Sequence, residues 1–176
     1  MIFGLSIGAF TALHTDISLL AIAAGLVVLA LLITGRMARV VTMLYLVTTI
    51  LTDITGFMFY KGSFGPPYIV GVISLIALLV ACYALYGAKL AGAWRGVWVV
   101  TAVIGLYLNV FVLVVQAFGK LPALHALAPT QKEPPFAIAQ LIVLVIFIVV
   151  GIFAVKNFRL GADVTSMGTW RNTKAS

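Results

Sequence analysis

The chain is poor in charged residues. Only 9% of its 176 residues are Asp, Glu, Lys or Arg, and only four of those are acids, whereas about a quarter of a soluble domain is charged. Its single cysteine, Cys82, excludes a disulfide within the chain. The scarcity of charge, together with a mean hydropathy of +1.23, excludes a soluble domain and indicates one compact membrane domain.

Motifs of common reactions are also missing from the sequence. We find no nucleophile–base motif, phosphate-binding loop or dinucleotide fingerprint, so enzymatic catalysis is the least favoured function. The net charge of +7 does not indicate nucleic-acid binding, because the basic residues lie between apolar segments and not on one polar face. Their distribution is typical of membrane topology.

Five apolar segments reach the roughly 20 residues that a helix needs to cross a ~30 Å hydrocarbon core. The sequence therefore predicts an all-α integral membrane bundle over residues 1–156, followed by a polar cytoplasmic tail over 157–176. The predicted transmembrane helices cover residues 12–34, 40–59, 68–87, 95–118 and 137–156.

The positions of Lys and Arg predict the orientation of this bundle. Eight of the eleven basic residues lie in the first connector, the third connector and the tail, and three lie in the other loops. Cytoplasmic loops carry the excess of Lys and Arg, which places the N-terminus outside and the C-terminus in the cytoplasm. All six prolines then fall in the two outer loops, where fixed φ angles predict stiff segments.

Asp53 is an acid inside the second apolar segment. A carboxylate at the centre of a membrane helix costs about 2.5–3.5 kcal/mol, and less near an interface. We therefore expect Asp53 to face the bundle, where it either bonds to Thr49 or Asn109 or stays protonated. Helical spacing and depth predict a polar pocket in the outer leaflet, lined by His14, Asp53, Asn109, Gln116 and Gln140. Asp53 is either a functional acid or a structural hydrogen-bond hub, and the sequence does not separate these two interpretations.

His14 and His125 are the only histidines. They are candidate ligands for a metal or a haem iron, with Asp53 or Asp16 as a further ligand. Their positions lack a ligand-type spacing, so hydrogen-bonded histidines near the interface are favoured over a cofactor site. Nearby, Thr15 or Asp16 is predicted to cap the first helix.

Four stretches resemble a family of small, uncharacterised multi-pass inner-membrane proteins of bacteria. They are LTDITGF (51–57), AGAWRGVWVVTAVI (91–104), LYLNVFVLVVQAF (106–118) and PALHALAPTQKEPPF (122–136). The resemblance runs from about Leu13 to Arg159 and implies an inner-membrane location and a helical fold. It implies no catalytic residue.

Four functions are compatible with this sequence. The first is binding of a small ligand, cation or proton in the outer pocket, within an oligomer or a larger membrane complex. The second is a structural or accessory subunit without a ligand, whose small-residue faces pack against partner helices. A channel or carrier formed between subunits ranks third. A redox protein that binds haem b or quinone through its histidines and aromatic residues ranks fourth.

Overall fold

The computed structural model describes residues 4–59 and 65–158, which form six α-helices and one π-helical turn. Tyr60, Lys61 and the predicted tail beyond Phe158 lie outside the described residues. The α-helices are α1 (Ile7–Ile33), α2 (Arg39–Phe57), α3 (Pro66–Cys82), α4 (Trp94–Lys120), α5 (Pro122–Leu127) and α6 (Pro134–Asn157), and the π-helical turn Tyr83–Gly87 extends α3.

Five of these helices are long and apolar enough to cross a membrane, counting α3 and its π-helical turn as one span. This confirms the predicted set of five transmembrane helices. The chain therefore has the organisation of a multi-pass membrane protein. The direction in which it crosses the membrane stays a prediction.

The start of α1 differs from the sequence prediction. α1 begins at Ile7, and the Ser6 hydroxyl caps it by accepting a hydrogen bond from the Ala9 N–H at 3.2 Å. Thr15 and Asp16 therefore lie within the helix, where their side chains are exposed. The predicted capping role of these two residues is wrong because the helix begins about two and a half turns earlier, where Ser6 caps it.

The proline-rich segment before α6 contains a helix that the sequence analysis did not predict. α5 begins at Pro122, in the first helical position that proline favours. The Glu133 carboxylate then closes the turn before α6, accepting hydrogen bonds from Thr130 N–H (3.2 Å), Thr130 Oγ1 (2.8 Å) and Lys132 N–H (3.1 Å). Desolvation alone would raise the pKa of the Glu133 carboxyl, but these hydrogen bonds to its charged form hold that pKa below its ordinary value.

The four helices α1 to α4 pack in a ring, each against the next, and α4 also contacts α1. α6 lies outside this ring, against α1 and α4, and is the least buried of the five spans. At one end of the bundle, the Asn157 amide donates to the Ile33 carbonyl at 3.1 Å, and we name this the C-terminal end. At the opposite, N-terminal end, the rings of Phe118 and Phe136 lie 5.4 Å apart.

Candidate functional site

The threonines of α2 bond to their own helix. The hydroxyls of Thr48, Thr49 and Thr52 donate to the carbonyls of Leu44, Tyr45 and Thr48, four residues earlier, at 2.7, 2.7 and 2.9 Å. A threonine within a helix commonly bonds in this way. Of the alternatives for Asp53, donation from the Thr49 hydroxyl is therefore not realised, because the Thr49 proton goes to the backbone.

Asp53 lies inside the bundle near the N-terminal end. It is four residues before the last residue of α2, or about 6 Å along the helix, and is 8% exposed. Its Oδ2 atom has no hydrogen-bond partner among the described residues. The Ser74 side chain on α3 lies close to this carboxyl. Its Oγ nevertheless makes no hydrogen bond of ordinary geometry among the described residues. The two residues thus face each other with unused hydrogen-bonding capacity.

Asn109 approaches the same level from α4. It is buried, and its Nδ2 atom lacks a hydrogen-bond partner within the described parts of the chain. Asn109 lies one turn beyond Gly105, where an added Cβ atom would be 3.3 Å from Cδ2 of Leu78 on α3. Because α3 and α4 run in opposite directions, Ser74, one turn before Leu78 in the chain, lies closer than Leu78 to the same N-terminal end of the bundle. We name Asp53, Ser74 and Asn109 the buried polar cluster.

Tyr45 closes this cluster on the side of the C-terminal end. The fully buried Tyr45 hydroxyl crosses from α2 to α4 and donates to the Ala102 carbonyl at 2.7 Å. Beside it, a cavity of about 10 Å³ is bounded by residues that include Gly25, Tyr45 and Leu106. That volume is at the lower limit for one water molecule. Closely packed apolar side chains therefore separate the cluster from the C-terminal half of the bundle.

Tyr45→Phe is expected to lower the free energy of unfolding by about 1 kcal/mol, since hydrogen bonds between membrane helices contribute roughly 0.6–1.7 kcal/mol. Thermal unfolding of the purified protein in mild detergent measures the loss. Tyr83→Phe is the matched control, because the Tyr83 side chain is exposed and its hydroxyl should add little. Equal stability of the two variants would contradict a stabilising role for the Tyr45 bond.

His14 joins α1 to α2. Its Nδ1 lies 2.7 Å from the Thr55 hydroxyl oxygen, and its ring packs edge-on against Phe59 with the ring centres 5.3 Å apart. The Thr55 hydroxyl donates its proton to the Leu51 carbonyl at 2.6 Å, so the Nδ1 of His14 is the donor in their bond. His14 therefore serves as a contact between helices, next to the buried polar cluster.

The other predicted site residues lie apart from this cluster. Gln140 donates from Nε2 to the Phe111 carbonyl at 3.2 Å and so joins α6 to α4. Gln116 is exposed near the end of α4, and His125 is exposed on α5. In the parts of the chain that the structure describes, no three His, Cys, Asp or Glu side chains are grouped as a metal site would need. The predicted set of His14, His125 and an acid is thus not assembled there.

Two residues that contribute to the site carried little signal in the sequence. Tyr45 occupies one more apolar position of α2, and Ser74 belongs to a face of small residues on α3. Their part in the site is visible only from their contacts on other helices, which are Ala102 for Tyr45 and Asp53 for Ser74.

Comparison with known proteins gives no assignment. No protein family, curated protein or solved structure matches this chain significantly. The function is therefore inferred from the geometry of the chain itself.

Proposed function

We propose that this protein is a membrane protein that binds a small cation, in the first place a proton, at Asp53 of the buried polar cluster. The observation that carries the proposal is the Asp53 carboxyl, which is buried within the bundle with an oxygen that lacks a hydrogen-bond partner among the described residues. An ionisable residue inside a membrane bundle is a functional candidate. The same site would belong to the outer leaflet of a bacterial inner membrane if the predicted orientation and family resemblance hold.

Close packing around the cluster favours a proton over a larger ligand. A Cβ atom at Gly105 would lie 2.9 Å from the Tyr45 hydroxyl, and one at Gly71 would lie 2.9 Å from the Phe57 ring. Helices that approach so closely leave little room between them. A proton needs no cavity, whereas an organic ligand would have to separate α2, α3 and α4.

The neighbouring side chains suit both protonation states of Asp53. A charged carboxylate only accepts hydrogen bonds, and the Ser74 hydroxyl and Asn109 amide are donors. When a proton is added to one oxygen, the carboxylic acid becomes a donor, and the Ser74 oxygen and the Asn109 carbonyl are acceptors. Rotation of the Ser74 hydroxyl, the side chain next to the Asp53 carboxyl, would match either state without movement of the helices.

Other ionisable groups near this end have different surroundings. The Tyr45 hydroxyl is held by its bond to the Ala102 carbonyl, and the His14 ring is held by its bond to Thr55. Asp16 is exposed on α1. Asp53 is therefore the group whose protonation most directly changes the charge inside the bundle.

Asp53→Asn tests the proposal because it removes the titration and keeps the shape of the side chain. Infrared difference spectra of the purified protein, recorded between acidic and alkaline buffer, should show a buried carboxylic acid signal that the variant loses. Asp16→Asn is the matched control and should keep that signal. Repeating the titration with sodium and with choline separates a proton site from a sodium site, because only sodium would compete. A spectrum that Asp53→Asn leaves unchanged would overturn the proposal.

A further inference from the structure

An apolar groove runs between α4 and α6 on the outside of the ring of helices. It encloses about 410 Å³, and its lining includes Val103 and Tyr107 from α4 and Phe147 and Gly151 from α6. Lys156, at the end of α6, also lines it. The groove is separate from the buried polar cluster, which lies between α2, α3 and α4.

The groove covers only part of the length of the bundle. On α6 it extends from Leu144 to Lys156, or about 18 Å at 1.5 Å per residue. Towards the N-terminal end the two helices are joined by the bond from Gln140 to the Phe111 carbonyl and by the contact of Phe118 with Phe136. One leaflet is about half of the ~30 Å hydrocarbon core, so a groove of this length matches a single acyl chain.

A glycine gives the groove its depth. A Cβ atom at Gly151 would lie 3.4 Å from a methyl group of Val103, so any side chain there would occupy the space between α4 and α6. Gly151, Val155 and Lys156 lie in the last two turns of α6, which ends at Asn157. The apolar wall thus ends at a cation, at the point where α6 reaches the end of the bundle.

We propose that this groove holds one acyl chain of an anionic phospholipid, with the headgroup phosphate against Lys156. The apolar lining matches the acyl chain, and the exposed ammonium group at its end complements the negative headgroup. Basic side chains at the ends of transmembrane helices attract anionic lipids in this way. The site does not depend on the proposed role of Asp53 or on the orientation of the bundle.

Native mass spectrometry of the whole chain with added phosphatidylglycerol or phosphatidylcholine tests this proposal. We expect one tightly retained phosphatidylglycerol per chain. Lys156→Gln should reduce its preference over phosphatidylcholine about fivefold, the effect of one basic residue near an anionic surface. Gly151→Leu should abolish retention of both lipids by filling the groove.

Two matched variants control for general effects. Lys120→Gln removes a charge at the opposite end of the bundle, and Gly8→Leu adds a side chain where no atom lies within 4 Å. Both should bind lipid as the original chain does, and circular dichroism should show equal helicity in all variants. Equal lipid retention in Gly151→Leu would overturn the proposal and show that the groove holds no specific lipid. A dimer that displaces lipid and depends on Gly151 would also overturn it and would identify the groove as a contact between copies of the chain.

Discussion

Asp53→Leu is expected to raise the free energy of unfolding by about 2 kcal/mol. A carboxylate at the centre of a membrane helix costs about 2.5–3.5 kcal/mol, and less towards the end of the helix, where Asp53 lies. Since its Oδ2 has no hydrogen-bond partner among the described residues, leucine would remove that cost and break no bond to this atom. The gain should be larger in alkaline buffer, where the buried carboxyl is charged. Denaturant unfolding in detergent micelles at two pH values measures it.

Thr52→Val is a suitable control on the same helix. The Thr52 side chain is buried like Asp53, but its hydroxyl bonds only to the Thr48 carbonyl of its own helix. Because that carbonyl also accepts the helical N–H and such back-bonding does not stabilise a helix, valine should alter stability little at either pH. A loss of stability in Asp53→Leu would contradict the expectation and identify Asp53 as a structural hydrogen-bond hub. A stabilised variant that no longer takes up the proton would show that the acid is kept for function at the expense of stability.

Length and hydropathy were enough to predict the five spanning helices, because backbone groups in lipid must be satisfied within a helix of about 20 residues. The same signal does not place helix ends. α1 extends to Ile7 because Ser6 caps it, and apolar content alone does not reveal which polar residue takes that role. α5 has only six residues, too few for helical periodicity to be recognised.

The faces of single helices could also be predicted, but not the register between them. Helical spacing placed Asp53 and Asn109 inside the bundle, where both are buried. Gln116 shared the predicted stripe yet is exposed, because near its end α4 is covered on the face that carries Phe118, which packs against Phe136 of α6. The bond from Tyr45 to Ala102 depends on how α2 and α4 are offset along their axes, and no pattern within one helix encodes that offset.

Gly25→Leu is expected to lower the free energy of unfolding by about 3 kcal/mol, the upper end of the usual cost of overpacking a core. A Cβ atom at Gly25 would lie 2.5 Å from Leu106 Cδ1 and 2.9 Å from the Tyr45 ring, so α1 would have to move away from α2 and α4. Leu106 could turn aside, but Tyr45 is held by its bond to the Ala102 carbonyl. Thermal unfolding in detergent measures the loss.

The size of this loss would also show how the core and the buried polar cluster depend on each other. Gly8→Leu adds the same side chain to the same helix in open space and should leave the unfolding temperature unchanged. Combining Gly25→Leu with Tyr45→Phe should cost less than the sum of the two single changes, because displacing the ring already breaks the bond that the second change removes. Strict additivity would contradict a shared contact at Tyr45, and the bond would then stabilise α2 and α4 independently of how closely α1 packs against them.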